Sequence, residues 1–306
     1  MYDIISDVHG YAKLLKKLLE ELGYSQKGGS FSHPGKKAVF VGDFINRGPH
    51  IRETLRIIRG MVEDGNAYAV LGNHEINAIT YHLKDEKGVH LIPKLNKNSL
   101  SLIKTLQQFH HYPEEWKSYR KWLRTLPLFL ELDGIRVVHA CWMDKSINII
   151  REGLNEAKPI KKSIFRGIYT NPESELAQSI WQTTRGIDLK LPNDLRIRDN
   201  HGIVKLSFRM KWWDAPVGKT FRELSFENRS KLPKYTVPPE IIPDFVPYPD
   251  DAPIVFFGHY CKALGPHIIK HNVCCVDSCV AGSKSLTAYS WSGEKKLKPK
   301  HLVTTF

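Results

Sequence analysis

The chain has 306 residues, of which 42% are hydrophobic, 25% charged and 10% aromatic, enough apolar material for one large or two ordinary domains. That profile excludes a disordered acidic tail, a collagen-like repeat and a small disulfide scaffold. With 45 Lys and Arg against 32 Asp and Glu the formal charge is +13, which favours phosphate esters, nucleic acid or an acidic membrane surface without choosing among them.

Tyr2 to Ile5 reads as a short strand that ends in Ser6-Asp7-Val8-His9-Gly10. A helix follows, with Leu14, Leu15, Leu18, Leu19 and Leu22 on one face, and Gly23 closes it. Ala38 to Val41 is a second strand that stops at Gly42-Asp43, and helix Ile51 to Glu63 buries Ile51, Leu55, Ile58 and Val62. Ala67 to Leu71 is a third strand, ending at Gly72-Asn73-His74-Glu75. Strand, polar loop and helix, repeated, predict a parallel βαβ core.

Asn98 to Leu126 reads as two helices divided at Pro113. Leu128 to Leu132 and Ile135 to Val138 flank Asp133-Gly134, a strong hairpin signal, and the second of these strands runs into His139. From Asp144 to about Pro253 the chain is polar and irregular, with seven prolines between Pro233 and Pro253. Strand Ile254 to Phe257 leads into Gly258-His259, and a last hairpin is expected over Val273 to Trp291. The expectation is one domain over 1–306, with a helical insertion at about 83–126 and an irregular Pro-rich insertion at about 144–253.

Five cysteines, Cys141, Cys261, Cys274, Cys275 and Cys279, are an odd count at irregular spacing, which argues against a full disulfide framework. Cys274 and Cys275 read as buried small hydrophobes; a Cys275/Cys279 metal pair is the weaker alternative. The polar run from Ser6 to Gly10 precedes any signal-peptide h-region, and no stretch nears the roughly 20 apolar residues that span a bilayer. The expectation is a cytoplasmic protein with no membrane partner.

Five polar clusters share one placement: Asp7-x-His9, Asp43, Asn73-His74, His139 and His259 each follow a short apolar strand. Ligands of open α/β sheets sit beyond the carboxyl ends of the strands, so these clusters are expected to converge. Together they offer two carboxylates, an amide oxygen and four imidazoles, a donor set suited to Mn, Fe or Zn. Two such ions about 3.5–4 Å apart need a bridging carboxylate and clamp the oxygens of a phosphoryl displacement.

Asp7-Val8-His9-Gly10, Gly42-Asp43-Phe44-Ile45-Asn46-Arg47-Gly48, Gly72-Asn73-His74-Glu75, His139 and Gly258-His259 resemble, in order, the motifs of calcineurin-like metallophosphoesterases. The closer likeness is to the branch of phosphoprotein phosphatases and bacterial symmetrical diadenosine tetraphosphate hydrolases. It covers roughly residues 1–82, 126–142 and 254–291. The resemblance implies an α/β fold, a two-sheet β-sandwich flanked by helices and built on βαβ units.

It also implies roles. Asp7 and His9 hold one divalent metal, Asp43 bridges, and Asn73, His139 and His259 hold a second, with Mn favoured and Fe or Zn as alternatives. A water bridging the two ions is the nucleophile, attacking in line. Arg47, with Asn73 and His74, faces the substrate; Arg47 binds phosphoryl oxygens as a planar bidentate donor, and His74 is the general acid. Glu75 is expected to open the helix that follows. A second phosphate-binding arginine has three candidates, Arg209, Arg222 and Arg229.

One position departs from the family. Asn46 stands where an Asp usually pairs with the general-acid histidine. Asn accepts an imidazole N–H but supplies no counter-charge, so Asn46 is expected to act with His74 at a lowered His74 pKa.

The reading is a metal-dependent phosphoesterase acting on phosphate monoesters, in a phosphorylated protein or a small phosphoester, like bacterial Ser/Thr phosphatases. The alternative is a dinucleoside polyphosphate hydrolase acting on diadenosine tetraphosphate. A nucleic-acid-binding protein with a decayed metal site is disfavoured, because all six ligands persist with His74 and Arg47, and no nucleic-acid module appears. Trp212-Trp213 is expected in the core, and Lys295, Lys296, Lys298 and Lys300 in a solvated tail.

Overall fold

The computed structural model describes residues 1–93, 97–154, 159–192, 195–198, 204–226, 232–261 and 267–306. Its core is a pair of five-stranded sheets. In the first the strand order is Leu302–Thr305, Leu286–Trp291, Tyr2–Ile5, Lys37–Phe40, Ala67–Ala69, the last three parallel. In the second it is His267–Lys270, Val273–Cys275, Ile254–Phe257, Ile135–Val138, Phe129–Leu132, with the middle three parallel.

The period-two alternation of a strand explains how the sheets stack. Ile4, Val39, Val137, Ile135, Ile254, Phe256, Tyr289 and Trp291 meet in one buried cluster between the sheets. Their neighbours Ile5, Phe40 and Ala288 turn outward under the helices of the first sheet. Val138, Val255 and Phe257 turn outward on the second, against Trp212 and Trp213. Central strands covered on both faces read as continuous apolar runs, which is why IVFF at 254–257 shows no alternation. The tryptophan pair lies in the core, as expected, 1% and 3% exposed.

Helices Ala12–Glu21 and Ile51–Glu63 bury the predicted leucine and isoleucine stripes against the first sheet. The stretch expected to form two helices divided at Pro113 forms three segments, Lys97–Ser101, Ile103–Gln108 and Pro113–Leu123. The stretch from 144 to 253 is not irregular throughout. Helices Asp144–Leu154, Lys162–Thr170 and Glu175–Arg185 occupy its first part, each burying a narrow stripe: Ile147 and Ile150, Phe165 and Ile168, Ala177 and Ile180. Stripes of two or three residues between polar neighbours are too short to dominate a periodicity window.

The expected hairpin over Val273 to Trp291 does not form. Val273–Cys275 pairs with Ile254–Phe257 and His267–Lys270, while Leu286–Trp291 pairs with Tyr2–Ile5 in the other sheet. Ten residues separate the two strands, far more than a tight hairpin turn uses, and the connection crosses the sandwich instead. Cys279 in that crossing is bonded to Cys261, so the alternative of a Cys275/Cys279 metal pair fails; Cys141, Cys274 and Cys275 are buried and free. Among the described residues no helix is long and apolar enough to cross a membrane.

Candidate functional site

Strands Tyr2–Ile5, Lys37–Phe40, Ala67–Ala69, Ile135–Val138 and Ile254–Phe257 end on one side of the sandwich, and the loops that leave them carry Asp7, His9, Asp43, Asn73, His139 and His259. These loops are bent hard. His9, Asp43, Asn46, Arg47 and His259 all have positive φ, from 46° to 71°, a conformation that costs a residue with a Cβ about 1–2 kcal/mol. Strain of this kind collects where surrounding bonds over-determine the backbone. Here the His9 N–H donates to Asp43 O at 2.8 Å, Gly10 N–H to Phe44 O at 2.8 Å and Gly48 N–H to His9 O at 2.8 Å.

Glu75 supplies the strongest clamp. Its buried carboxylate accepts the N–H groups of Gly72 at 3.0 Å, Asp43 at 2.9 Å and Phe44 at 2.9 Å. It both opens helix Asn73–Tyr81, as expected, and fixes the Asp43 loop to it. Burial, with the nearby Asp43 charge, lifts its pKa to about 7. Two glycines are required by close approach: a Cβ on Gly72 would lie 2.2 Å from Asp43 Oδ1, and one on Gly258 would lie 1.9 Å from Asp7 Oδ1.

Asp43 is the centre of the cluster. His139 Nε2 lies 3.4 Å from its Oδ1, and His9 Nε2 and His74 Nε2 lie 3.6 and 3.7 Å from its Oδ2. His139 Nε2 is also 3.1 Å from Asn73 Oδ1. Backbone carbonyls hold the far side of two rings, Ile45 O at 2.9 Å from His9 Nδ1 and Val41 O at 2.8 Å from His139 Nδ1. A carbonyl at Nδ1 fixes that nitrogen as the donor and points Nε2 at the centre, as in metal-ligating histidines. The Asp7 carboxylate accepts the His259 backbone N–H at 3.1 and 3.3 Å.

The donor set fits two divalent cations. His9, Asp43 and His74 form one group, and Asp43, His139 and His259 another, each with its ligand atoms within 4.8 Å of one another. Asp43 is common to both. His259 Nε2 is buried with no hydrogen-bond partner, a lone pair that the fold leaves for something else. The first group contains His74, where the resemblance implies Asp7.

The charges of this cavity are far from ordinary. Burial holds the His9 imidazole down to about 3, and burial with Arg209 holds His259 well below its usual value. Burial also opposes the charged form of His139, but Asp43 and Asp7 outweigh it and lift His139 to about 10. Asp277, buried beside Asp43, is pushed up to about 6. Another carboxylate in so small a space stays charged at neutral pH more readily with compensating positive charge nearby.

The cavity measures about 690 Å³ and brings Arg47, Arg185 and Arg209 to the cluster. Of the three expected arginines, Arg209 lines it, over the Tyr260 ring at 5.4 Å. Arg222 instead donates from Nε to Leu232 O at 2.5 Å, and Arg229 lies outside the described residues. Arg185 and Asp277 were not among the predicted site residues. Arg185 ends helix Glu175–Arg185, lies 3.4 Å over the Trp181 ring and donates to Asn77 Oδ1 at 3.1 Å. Asp277 follows the apolar strand Val273–Cys275, the same placement that singled out the other clusters.

Asn46 is bonded on both sides. The Thr105 hydroxyl donates to Asn46 Oδ1 at 2.6 Å, and the Asn46 amide nitrogen lies 2.5 Å from His74 Nδ1. The carbonyl is thus taken by Thr105, and the amide N–H faces the ring. His74 therefore accepts at Nδ1 and carries its proton on Nε2, on the Asp43 side. Burial, followed by Arg47 among the opposing charges, lowers its pKa although Asp43 favours the charged form.

A two-sheet sandwich with an aspartate-centred histidine cluster beyond its strand ends defines a metallophosphoesterase class of protein. The sequence model of the calcineurin-like phosphoesterase family matches residues 2–263, and the chain belongs to that family. The bis(5'-nucleosyl)-tetraphosphatase PrpE, asymmetrical, of Halalkalibacterium halodurans is 49% identical over 74 residues, 24% of this chain and 30% of that protein. Its counterpart in Geobacillus sp. strain WCH70 is 32% identical over 144 residues, 45% of this chain and 55% of that protein. The matches thus span from under a third to just over half the length of these relatives. A solved protein serine/threonine phosphatase from Saccharomyces cerevisiae aligns with 99% of this chain and 78% of its own, at 12% identity and TM-score 0.47.

Proposed function

We propose that the protein is a metal-dependent phosphoesterase that hydrolyses dinucleoside polyphosphates of the diadenosine tetraphosphate type. The observation that carries this reading is the convergence of Arg47, Arg185 and Arg209 on the Asp43 cluster in a cavity of about 690 Å³. A monoester presents one phosphoryl group, for which one or two guanidiniums suffice. Three, spread around a cavity of ligand size, suit a chain of phosphates. The names of the relatives support the same substrate class, which was the alternative on sequence grounds and now replaces the phosphate-monoester reading. Those names specify asymmetrical cleavage, whereas the motif resemblance ran to symmetrical hydrolases.

In this reading Asp7, His9 and Asp43 hold one divalent ion, and Asp43, Asn73, His139 and His259 hold the other. When bound, the ions supply Lewis acidity at the phosphoryl oxygens and lower the pKa of a water. Arg47, exposed at the mouth, and Arg209 and Arg185, half-buried within, neutralise and orient the phosphate chain. His74 directs its Nε2–H to the departing phosphate oxygen as a hydrogen-bond donor, and the Asn46–Thr105 pair holds its ring in register. Mn is the first metal to supply, with Fe and Zn next.

The test is a substrate panel after chelation and re-addition of Mn. Diadenosine tetraphosphate, p-nitrophenyl phosphate and a phosphopeptide are compared, with Asp43→Asn as the blank. The reading expects the dinucleotide to have the highest kcat/KM, with products separating asymmetrical cleavage (ATP and AMP) from symmetrical (two ADP). Turnover of the phosphopeptide with the dinucleotide untouched would overturn it. Equal activity in Asp43→Asn would remove the metal mechanism with it.

A further inference from the structure

A second cavity, of about 420 Å³, lies away from the Asp43 cluster, where helix Pro113–Leu123 faces the end of helix Asn73–Tyr81 and the start of helix Lys162–Thr170. Its apolar floor is Ile79 and Leu83, and its rim carries Arg120, Lys121, Arg124 and Lys162. None of these four has a carboxylate within ion-pair distance among the described residues. The one carboxylate on the rim, Glu114, is paired with Lys117 at 3.1 Å.

The arrangement is unfavourable as it stands. Arg120 Nε is buried with no hydrogen-bond partner, and burial lowers the Arg120 pKa. A desolvated guanidinium N–H without an acceptor is costly, and the nearby Glu114 charge and the Trp116 ring at 5.9 Å leave that Nε–H without an acceptor. Arg124 is fixed by donating from Nε to Ile160 O at 2.8 Å, which leaves its terminal nitrogens for a ligand. His82 does not relieve the charge. Trp116 Nε1 donates to His82 Nε2 at 2.9 Å, so the ring is neutral and offers Nδ1–H as one more donor.

We propose that this cavity binds a short oligophosphate, either a free chain of two or three phosphates or the same chain on a nucleotide. A single phosphate would leave most of the rim charge uncompensated. From Arg120 to Arg124 the helix advances about 6 Å, a length that a chain of two or three phosphates matches. A half-open cavity bounded by three helices suits a compact ligand better than a polymer backbone. The site is separate from the catalytic cavity and does not depend on which ester that cavity cleaves.

The test is calorimetric titration of sodium tripolyphosphate, and separately ATP, into the metal-loaded full-length chain. The proposal expects two binding events in the unmodified protein. Lys121→Gln/Lys162→Gln, at exposed positions that do not threaten folding, should weaken one of them at least fivefold. Turnover of p-nitrophenyl phosphate without tripolyphosphate should stay within twofold. Adding Arg120→Gln should abolish that event, while Arg47→Met should spare it. Tighter binding of ATP would identify the nucleotide as the source of the chain; tighter binding of tripolyphosphate would identify the free chain. Unchanged isotherms in the double lysine variant, loss of all binding in Arg47→Met, or displacement by a single-stranded oligonucleotide would each overturn the proposal.

Discussion

Asn46→Asp restores the carboxylate that the family usually places beside its general-acid histidine, and its effect follows from the contacts. The Asn46 amide nitrogen is 2.5 Å from His74 Nδ1, and the residue is 1% exposed. A carboxylate there accepts only, so His74 must bring a proton to Nδ1 and become cationic when it also carries one at Nε2. A charge pair about 4 Å apart at an effective dielectric near 20 is worth about 4 kcal/mol, or about 3 pKa units. Burying the new carboxylate beside Asp43 offsets part of that, leaving a rise of about 1–2 units. The cationic ring can give up its Nε2 proton and stay neutral, which the neutral ring beside the Asn46 amide cannot, so acid-assisted turnover persists only up to the raised pKa. The alkaline limb of kcat in Asn46→Asp should therefore move up by about 1–2 pH units, with the metals bound. The assay is a pH–rate profile of both proteins with a substrate whose leaving group needs a proton. Coincident alkaline limbs would refute the argument that Asn46 sets the His74 proton affinity.

Arg185→Met should lower kcat/KM for diadenosine tetraphosphate about 10- to 100-fold, the loss of one charge-assisted contact; an effect below twofold in steady-state kinetics would remove Arg185 from the site. Metal removal should destabilise the fold, because it leaves Asp7, Asp43 and Asp277 buried together; saturating Mn at 100 times Kd restores about 2.7 kcal/mol, read as a thermal shift that Asp43→Asn abolishes. Gly258→Ala drives a methyl to 1.9 Å from Asp7 Oδ1 and 2.7 Å from Val41 Cγ2, so metal affinity measured by competition with a chelator should fall about 10- to 100-fold. Glu294 accepts from Tyr289 Oη at 2.7 Å, Ser292 N at 2.9 Å and His301 Nδ1 at 2.8 Å. Burial opposes its charge, but these bonds hold its pKa down to about 2. Its stability contribution is therefore present above the unfolded value of 4.5 and lost as pH falls toward 2. Glu294→Gln should melt about 2 °C below the parent at pH 6, for about 1 kcal/mol after solvent screening, and the gap should close by about pH 2.5; a gap independent of pH would refute the linkage.

The parts legible in the sequence were those in which one residue type does one job. Ile254–Phe257 is apolar on both faces and Tyr2–Ile5 is so except for Asp3, and the polar residue that follows each one is where the chain leaves the sandwich. That rule placed Asp7, Asp43, His139 and His259, and applied to Val273–Cys275 it would also have found Asp277. The parts not legible depend on distance across the fold. Arg185 ends a helix whose buried stripe is only Ala177, Ser179, Ile180, Thr183 and Thr184, too polar to declare itself. Cys261 and Cys279 meet because the crossing between sheets returns past the Gly258-His259 loop, which no spacing rule encodes. Thr105 reaches Asn46 over 59 residues, so the sequence could show that a carboxylate was missing but not what holds its replacement.

Net charge is the extreme case of the same limitation. A value of +13 is a sum, and a sum carries no positions. The fold divides part of it between two cavities: three arginines around buried carboxylates in one, and four cations around an apolar floor in the other. In the first, Asp7, Asp43 and Asp277 cancel much of the field, so only added cations give it a strong affinity for phosphate. In the second only Glu114 offsets it, and Glu114 is paired with Lys117. The two sites should therefore respond oppositely to chelation: anion binding at the Asp43 cluster is lost with the metals, whereas binding at the helical cavity persists. Salt should weaken the helical cavity more steeply, since its rim lies partly in solvent where screening acts.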